Sequence, residues 1–280
     1  MFIGPIRQQG SLHEKVSTRV QRISAALVVA AGLLVGQVVA NAQQPDVTAA
    51  KPILIELFTS EGCSSCPPDD ELLQRMDASQ PIPGAQLIVL SEHVDYWNHD
   101  GWKDPYSSPF STERQAEYVQ ALGLKTPYTP QIIVDGAAEL SGNSSALGVT
   151  LQKAAALPKV PVRITLLEAD GGSRAMLRGR AEVEAGGEKQ NAGIYAVLAL
   201  DHAESQVLRG ENSGKHLAHV AVVQEIKKIG KLEKGNSVTE DFQFKLKPGM
   251  EPTNLRVIVF VQTSGPGKVL GAALRKTNDL

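Results

Sequence analysis

Two hydrophobic rhythms divide the chain. Up to about residue 157, short continuous apolar runs alternate with stretches whose apolar positions recur every three or four residues. Beyond residue 161, apolar and polar positions alternate by two. The runs at 53–58 and 87–90 are rich in Ile, Leu and Val, as strands buried on both faces are. Between them Leu72, Leu73 and Met76 mark the inner face of a helix over 67–78. Strand, helix, strand in that order predicts a parallel pair joined by a right-handed crossover. Thr112-x-x-Gln115 reads as a capping box opening a helix to Leu122, with Gly123 as its stop. A strand over 131–134 follows, then a turn at Asp135-Gly136 and a short strand at Glu139-Leu140. A last helix begins at Asn143 or Ser144 and ends near Leu157.

Pro158-Lys159-Val160-Pro161 reads as a boundary. Strand-length segments then fall at 162–166, 176–184, 194–200, 220–226, 238–246 and 255–261. Gly171-Gly172, Gly186-Gly187 and Gly265-Pro266-Gly267 punctuate them. Strands and turns with little helical pattern predict an all-β sandwich-like domain over 158–280, after an α/β domain over 43–157.

The first 42 residues have a different character. Arg7, Lys15, Arg19 and Arg22 precede an apolar run from 23 to 40, and Ala40-Asn41-Ala42 fits a small-residue cleavage site. This pattern is that of a secretory signal peptide, with an uncleaved membrane anchor as the alternative. Cleavage leaves Gln43 first and no stable membrane insertion, and it predicts a periplasmic or secreted protein. The chain carries 28 Lys and Arg against 30 Asp and Glu, and losing the leader makes it more acidic. No basic block remains, which argues against nucleic-acid binding.

The candidate chemistry lies in Gly62-Cys63-Ser64-Ser65-Cys66-Pro67-Pro68, which holds both cysteines of the chain. With no third thiol, they pair with each other, with a ligand, or with another molecule. Pro67 and Pro68 suit the first turn of a helix, and Asp69, Asp70 and Glu71 suit the positive end of its dipole. Cys63 then lies just before a helix N-terminus, where backbone N–H groups stabilise a thiolate, the nucleophile of thiol–disulfide exchange. Cys66, one turn in, is placed to resolve a mixed disulfide. A ring this small adds little stability through chain entropy, so a purely structural disulfide is the weaker reading. Glu61 and the three acids after Pro68 disfavour a thiolate and predict only a moderately lowered Cys63 pKa. Metal binding competes with this reading. Zinc would need two further ligands and no second C-x-x-C exists. Copper on Cys63, Cys66 and His93 is chemically consistent.

The second apolar strand leads into a loop holding His93, Asp95, Trp97 and Trp102. Both loops leave the C-terminal ends of parallel strands and so should share a face. Trp97 and Trp102 read as a platform for a polypeptide or other ligand, and His93 and Asp95 as proton-transfer or orienting groups near the sulfurs. A long loop packed by its own aromatics explains them equally. In the second half, the segment 209–215 reads as a polar hairpin connection, and His202, His216 and His219 as solvated histidines.

The order of elements, the C-x-x-C at the first helix and Thr129-Pro130 before the third strand together resemble the thioredoxin fold. The runs Glu56-Leu57-Phe58-Thr59-Ser60, His93-Val94-Asp95-Tyr96-Trp97, Gly101-Trp102-Lys103-Asp104-Pro105 and Tyr128-Thr129-Pro130-Gln131 resemble one exported bacterial thioredoxin-like family of unknown function, numbered 1223. Glu61 and Asp69 stand where that resemblance leads one to expect glutamine and alanine. The resemblance implies Cys63 as attacking sulfur, Cys66 as resolving sulfur and Pro130 as a cis-proline against the disulfide. Thr129 would offer backbone hydrogen bonds to an extended substrate.

The expectation is therefore a thioredoxin-like α/β domain followed by an all-β sandwich-like domain. Its function would be exchange with protein thiols and disulfides, supported by a redox partner and needing no cofactor or metal. The alternative is a non-enzymatic metal- or partner-binding protein on the same scaffold. A weaker alternative is an adaptor whose β-domain carries the function.

Overall fold

The computed structural model describes residues 50–141, 144–170, 176–185 and 191–279. The expected signal peptide, the Gly171-Gly172 and Gly186-Gly187 turns and the helix start at Asn143 lie outside the described residues. In chain order the elements begin with β1 (Lys51–Thr59), α1 (Pro67–Ser79), β2 (Ala85–His93) and α2 (Pro109–Ala121). The hairpin β3 (Gln131–Val134) and β4 (Ala138–Ser141) follows, then α3 (Leu147–Ala156). Seven strands complete the chain: β5 (Val162–Asp170), β6 (Met176–Val183), β7 (Ala192–Gln206), β8 (His216–Leu232), β9 (Val238–Lys245), β10 (Leu255–Thr263) and β11 (Val269–Lys276).

The expected pairing of a thioredoxin-like α/β domain with a separate β-sandwich is overturned. Eight strands form one mixed sheet in the order β11-β10-β7-β8-β2-β1-β3-β4, which draws on both sides of the expected boundary. Only β5, β6 and β9 form a second sheet, and the described residues hold three α-helices. Two features cause the difference. First, the outer edge of β2 is not free: β8 runs parallel to it and meets it at Ser91 and Val222. Second, one face of β1 and β2 is covered in large part by sheet rather than helix. Leu54, Ile88 and Leu90 pack with Val197, Ala199, Ile258, Phe260 and Ala272 as the large sheet folds back on itself. Hydrophobic alternation tells which side of a strand is buried, but not which strand will lie beside it.

The other face is conventional. Ile53, Ile55, Leu57, Leu87 and Val89 alternate inward against Leu73 and Met76 of α1 and Leu147, Leu151 and Ala154 of α3. The small sheet covers β7 and β10 through Leu177, Phe242 and Phe244, packed on Ile194, Leu198, Val257 and Val259.

The helix α2 starts earlier than the capping box implied. Ser108 is its N-cap, its hydroxyl accepts from the Phe110 N–H, and Pro109 takes the first helical position. Thr112 instead bonds Asp95 from within the helix.

Candidate redox site

The cysteine loop follows the C-terminal end of β1. Gly62 is required there by a close approach: a Cβ at that position would lie 3.0 Å from the Trp97 Cβ. Cys66 is the N-cap of α1 and its carbonyl accepts from the Asp69 and Asp70 N–H groups. Cys63 and Cys66 are joined in a disulfide with their Cα atoms 5.5 Å apart. Both are buried, at 1% and 0% exposure, while Ser64 and Ser65 between them face solvent.

The loop's main chain is held from distant parts of the chain. The Glu61 N–H donates to Asp104 Oδ2 at 2.9 Å. Asn212 Nδ2 donates to the carbonyls of both Glu61 and Cys63, at 2.8 and 2.9 Å. The Ser64 N–H donates to Glu211 Oε2 at 3.2 Å. Lys215 Nζ in turn holds Asn212 Oδ1 at 2.9 Å. The 209–215 segment is indeed the connection of a hairpin, β7 to β8, but it also clasps the cysteine loop.

Behind the loop lies a buried charged cluster. Glu61 is fully buried; its carboxylate accepts from Trp102 Nε1 at 2.7 Å and from the Ser205 hydroxyl, and it faces His219 Nε2 at 3.3 Å. On its other side His219 Nδ1 lies 3.6 Å from Asp70 Oδ1, and Thr59 Oγ1 donates to Asp70 Oδ2. Burial alone would hold the His219 imidazole down. Its hydrogen bonds with Asp70 and Glu61 and their charges outweigh that and push its pKa up to about 10. His219 is therefore not the solvated histidine expected, and Glu61 and Asp70 are partnered by a cation, not free to repel a thiolate.

The other expected residues divide. His93 is buried, with Nδ1 2.7 Å from Asp104 Oδ2 and its ring 4.6 Å from that of His219. Burial would raise the Asp104 pKa, but the His93 charge and hydrogen bonds from His93, Glu61 and Tyr106 hold it below the usual range. Trp97 reaches from its contact with Gly62 to Thr129, donating from Nε1 to Oγ1 at 2.8 Å. The Thr129–Pro130 bond is cis. Asp95 stands apart from this cluster: its Oδ1 accepts from Thr112 Oγ1 at 2.6 Å and so ties the loop to α2. Among the described residues no group of three or more His, Cys, Asp or Glu side chains is placed to hold a metal ion. The Cys63, Cys66 and His93 copper set is thus not assembled.

Sequence reasoning missed His219, Asn212, Ser205, Asp104 and Tyr106. Tyr106 packs its ring against both histidines and donates its hydroxyl proton to the Glu204 carbonyl. One signal was available. His219 sits in Ala218-His219-Val220-Ala221, a polar side chain inside an apolar stretch of strand, which argues for an inward partner.

A second buried polar cluster lies between α2 and the sheet. Arg114 Nε and Nη2 donate to Glu56 Oε1 at 2.7 and 2.5 Å, and Arg114 Nε lies 3.4 Å from Glu92 Oε1. The Tyr118 hydroxyl donates to Glu56 Oε2 at 2.5 Å and accepts from Gln262 Nε2. Burial raises the Glu92 carboxyl well above the usual range; Arg114 opposes the rise and Glu56 adds to it. Burial therefore favours the neutral form of Glu92.

With fold and site described, the relatives can be placed. The chain belongs to the DUF1223 family of proteins of unknown function, whose model matches residues 54–262. A crystal structure of protein AGR_C_4864 from Agrobacterium tumefaciens is similar at 26% identity and a TM-score of 0.65, covering 81% of this chain and 95% of that one. Sporulation control protein Spo0M from Bacillus subtilis matches at 13% identity and a TM-score of 0.31, over 43% of this chain and 49% of that one. A domain of the outer membrane lipoprotein Omp28 from Porphyromonas gingivalis matches at 11% identity and 0.27, over 43% and 88%. No curated protein matches the chain.

Proposed function

We propose that the protein is a thiol–disulfide oxidoreductase acting on protein thiols and disulfides through Cys63 and Cys66. The observation that carries this reading is the disulfide itself, closed at the N-terminus of α1 within a loop gripped at four main-chain positions. So small a ring adds little as a staple, yet the surrounding chain holds it closely. In the reduced form the Cys63 thiolate attacks a substrate disulfide, forming a mixed disulfide and releasing one substrate thiolate. The Cys66 thiolate then attacks the Cys63 sulfur. This closes the Cys63–Cys66 bond and releases the second substrate thiolate. Two electrons leave the cysteine pair and enter the substrate; the reverse sequence oxidises a dithiol. The pair itself stores the electrons, so no organic cofactor enters, and a redox partner resets it.

Because both cysteines are buried, a protein substrate reaches the sulfurs by displacing the Glu211–Ser64 contact at the exposed rim. Trp97, which lies against Gly62 and bonds Thr129, would with Thr129 and Pro130 present an extended substrate to the sulfurs. In this reading the protein works after export, in the periplasm or outside the cell, where the disulfide persists.

The test is the reduction potential of the pair, measured by equilibration in glutathione buffers with thiol trapping. A value between about −270 and −120 mV, the span of known exchange catalysts, supports the reading. A value below about −300 mV marks a structural disulfide and overturns it. In parallel, Cys66→Ser should accumulate mixed disulfides with protein thiols through Cys63.

A further inference from the structure

At the opposite end of β1 from the disulfide there is a cavity of about 470 Å³. It lies between the start of β1, the start of β5 and the second half of β11. Nine residues of strand, at about 3.3 Å each, separate it from the cysteine loop. Its wall carries four cationic side chains, Lys51, Lys159, Arg163 and Arg275, and no acidic one. The chain as a whole carries a net charge of −2, so this concentration of positive charge is local.

The nearby acids leave much of that charge uncompensated. Asp135 accepts from the Leu54 N–H at Oδ1 and from Lys159 Nζ at Oδ2. Glu184 pairs with Arg163 at 2.5 Å. Lys51 and Arg275 have no ion pair among the described residues. The Arg275 Nε donates to the Ile164 carbonyl at 3.3 Å, which holds the guanidinium at the cavity.

Lys159 is the informative group. Its side chain is only 5% exposed, yet Asp135 is the one hydrogen-bond partner it has among the described residues. An ammonium carries three donors, so beyond its bond to Asp135, Lys159 can offer further hydrogen bonds to a ligand in the cavity. Burial depresses the Lys159 pKa, Asp135 opposes that, and the charges of Lys268 and Lys51 depress it further. An anion in the cavity would satisfy the spare donors and relieve the mutual repulsion. The floor is apolar, formed by Val162, Ile164 and Ala273.

We infer that this cavity binds a small amphipathic organic anion, with its carboxylate, sulfonate or phosphate on Lys51, Lys159 and Arg275 and its apolar body on the floor. The volume fits a small-molecule ligand. The site is independent of the disulfide and of the redox reading.

The experiment is calorimetric titration of the protein with phenyl phosphate, with benzoate and with inorganic phosphate. The expected result is saturable 1:1 binding of phenyl phosphate or benzoate, tighter than inorganic phosphate and weakened by salt. The double variant Lys51→Glu/Arg275→Glu should weaken that binding by about tenfold or more, since each contact is a charge-assisted hydrogen bond. Both side chains are exposed, and an unchanged melting temperature verifies the fold. Charge reversal at the exposed Lys231, outside the cavity, should change nothing, and neither should Cys63→Ser/Cys66→Ser. Absence of saturable binding, or binding unaltered in the double variant, overturns the site. Equal affinity for inorganic phosphate overturns the amphipathic assignment.

Discussion

Two pairs of buried acidic side chains lie in or against this sheet, and each pair shares a different cation. Glu56 and Glu92 share Arg114; Glu61 and Asp70 share His219. A guanidinium keeps its proton at any pH a protein meets. In that cluster burial, reinforced by Glu56, favours the protonated form of Glu92 and so lowers the excess negative charge. An imidazolium can give up its proton. The permanent cation lies in the interior against α2, while the titratable one lies behind the cysteine loop, where redox chemistry would change the local charge. The difference separates a cluster that fixes the fold from one whose charge state can follow the state of the site.

The sharpest way to break the comparison is Arg114→Met. It strands two buried carboxyls and should cost about 3–5 kcal/mol in chemical denaturation, the penalty for removing one partner of a buried pair. His219→Gln should cost less, about 2 kcal/mol at neutral pH, because an amide still bonds one carboxylate. Its pH signature is more distinctive. The folded pKa of His219, about 10, exceeds its unfolded value near 6.5. The stabilisation is therefore fully present below pH 6.5 and is lost as pH rises through 10. Denaturation midpoints of the wild type should fall across that window, and those of His219→Gln should fall less. Equal slopes would mean that His219 is not held protonated.

Asn212→Ala removes the donors to the Glu61 and Cys63 carbonyls. It should cost about 1–2 kcal/mol and speed reduction of the disulfide by dithiothreitol, measured by thiol release. An unchanged rate would show that the hairpin clasp does not control access. Glu92→Gln should have the smallest effect on stability below about pH 4.5, where the carboxyl it replaces is neutral in the folded and the unfolded chain alike. The wild type should lose stability as pH rises above about 4.5, where the unfolded carboxyl ionises and the folded one does not. The variant should lack that contribution.

Much of the first half was legible because its signals are local. The apolar runs at 53–58 and 87–90, the proline pair after Cys66 and the periodicity of Leu73 and Met76 each act within a few residues. The fold class is not legible in the sequence because its determinants are not local. Nothing in the residues of β2 states that Val222 will lie beside Ser91. Nothing in Leu54 or Ile88 distinguishes burial under a helix from burial under Ile258 and Phe260. The site was half legible for the same reason. Cys63, Cys66 and Trp97 are marked by spacing and by composition. Asn212 and Ser205 are ordinary polar residues whose importance comes only from what β7 and β8 bring within reach. For His219 the one local sign is its apolar neighbours in β8, Ala218, Val220 and Ala221.

The parallel contact between Ser91 and Val222 bears on how the molecule matures. Synthesis delivers β1 to β4 well before β8, with α3 and three further strands in between. Until β8 arrives the rim of β2 is bare in the growing polypeptide, and the greasy side formed by Leu54, Ile88 and Leu90 waits longer still, for β10 and β11. Such a long-range closure is slow and invites self-association. A chain stopped near residue 157 should accordingly precipitate, however complete its first seven elements look. Cys63 and Cys66, by contrast, are neighbours that can oxidise as soon as they emerge. The covalent bond can therefore form before its housing exists, and until the housing closes the sulfurs are open to whatever surrounds the chain.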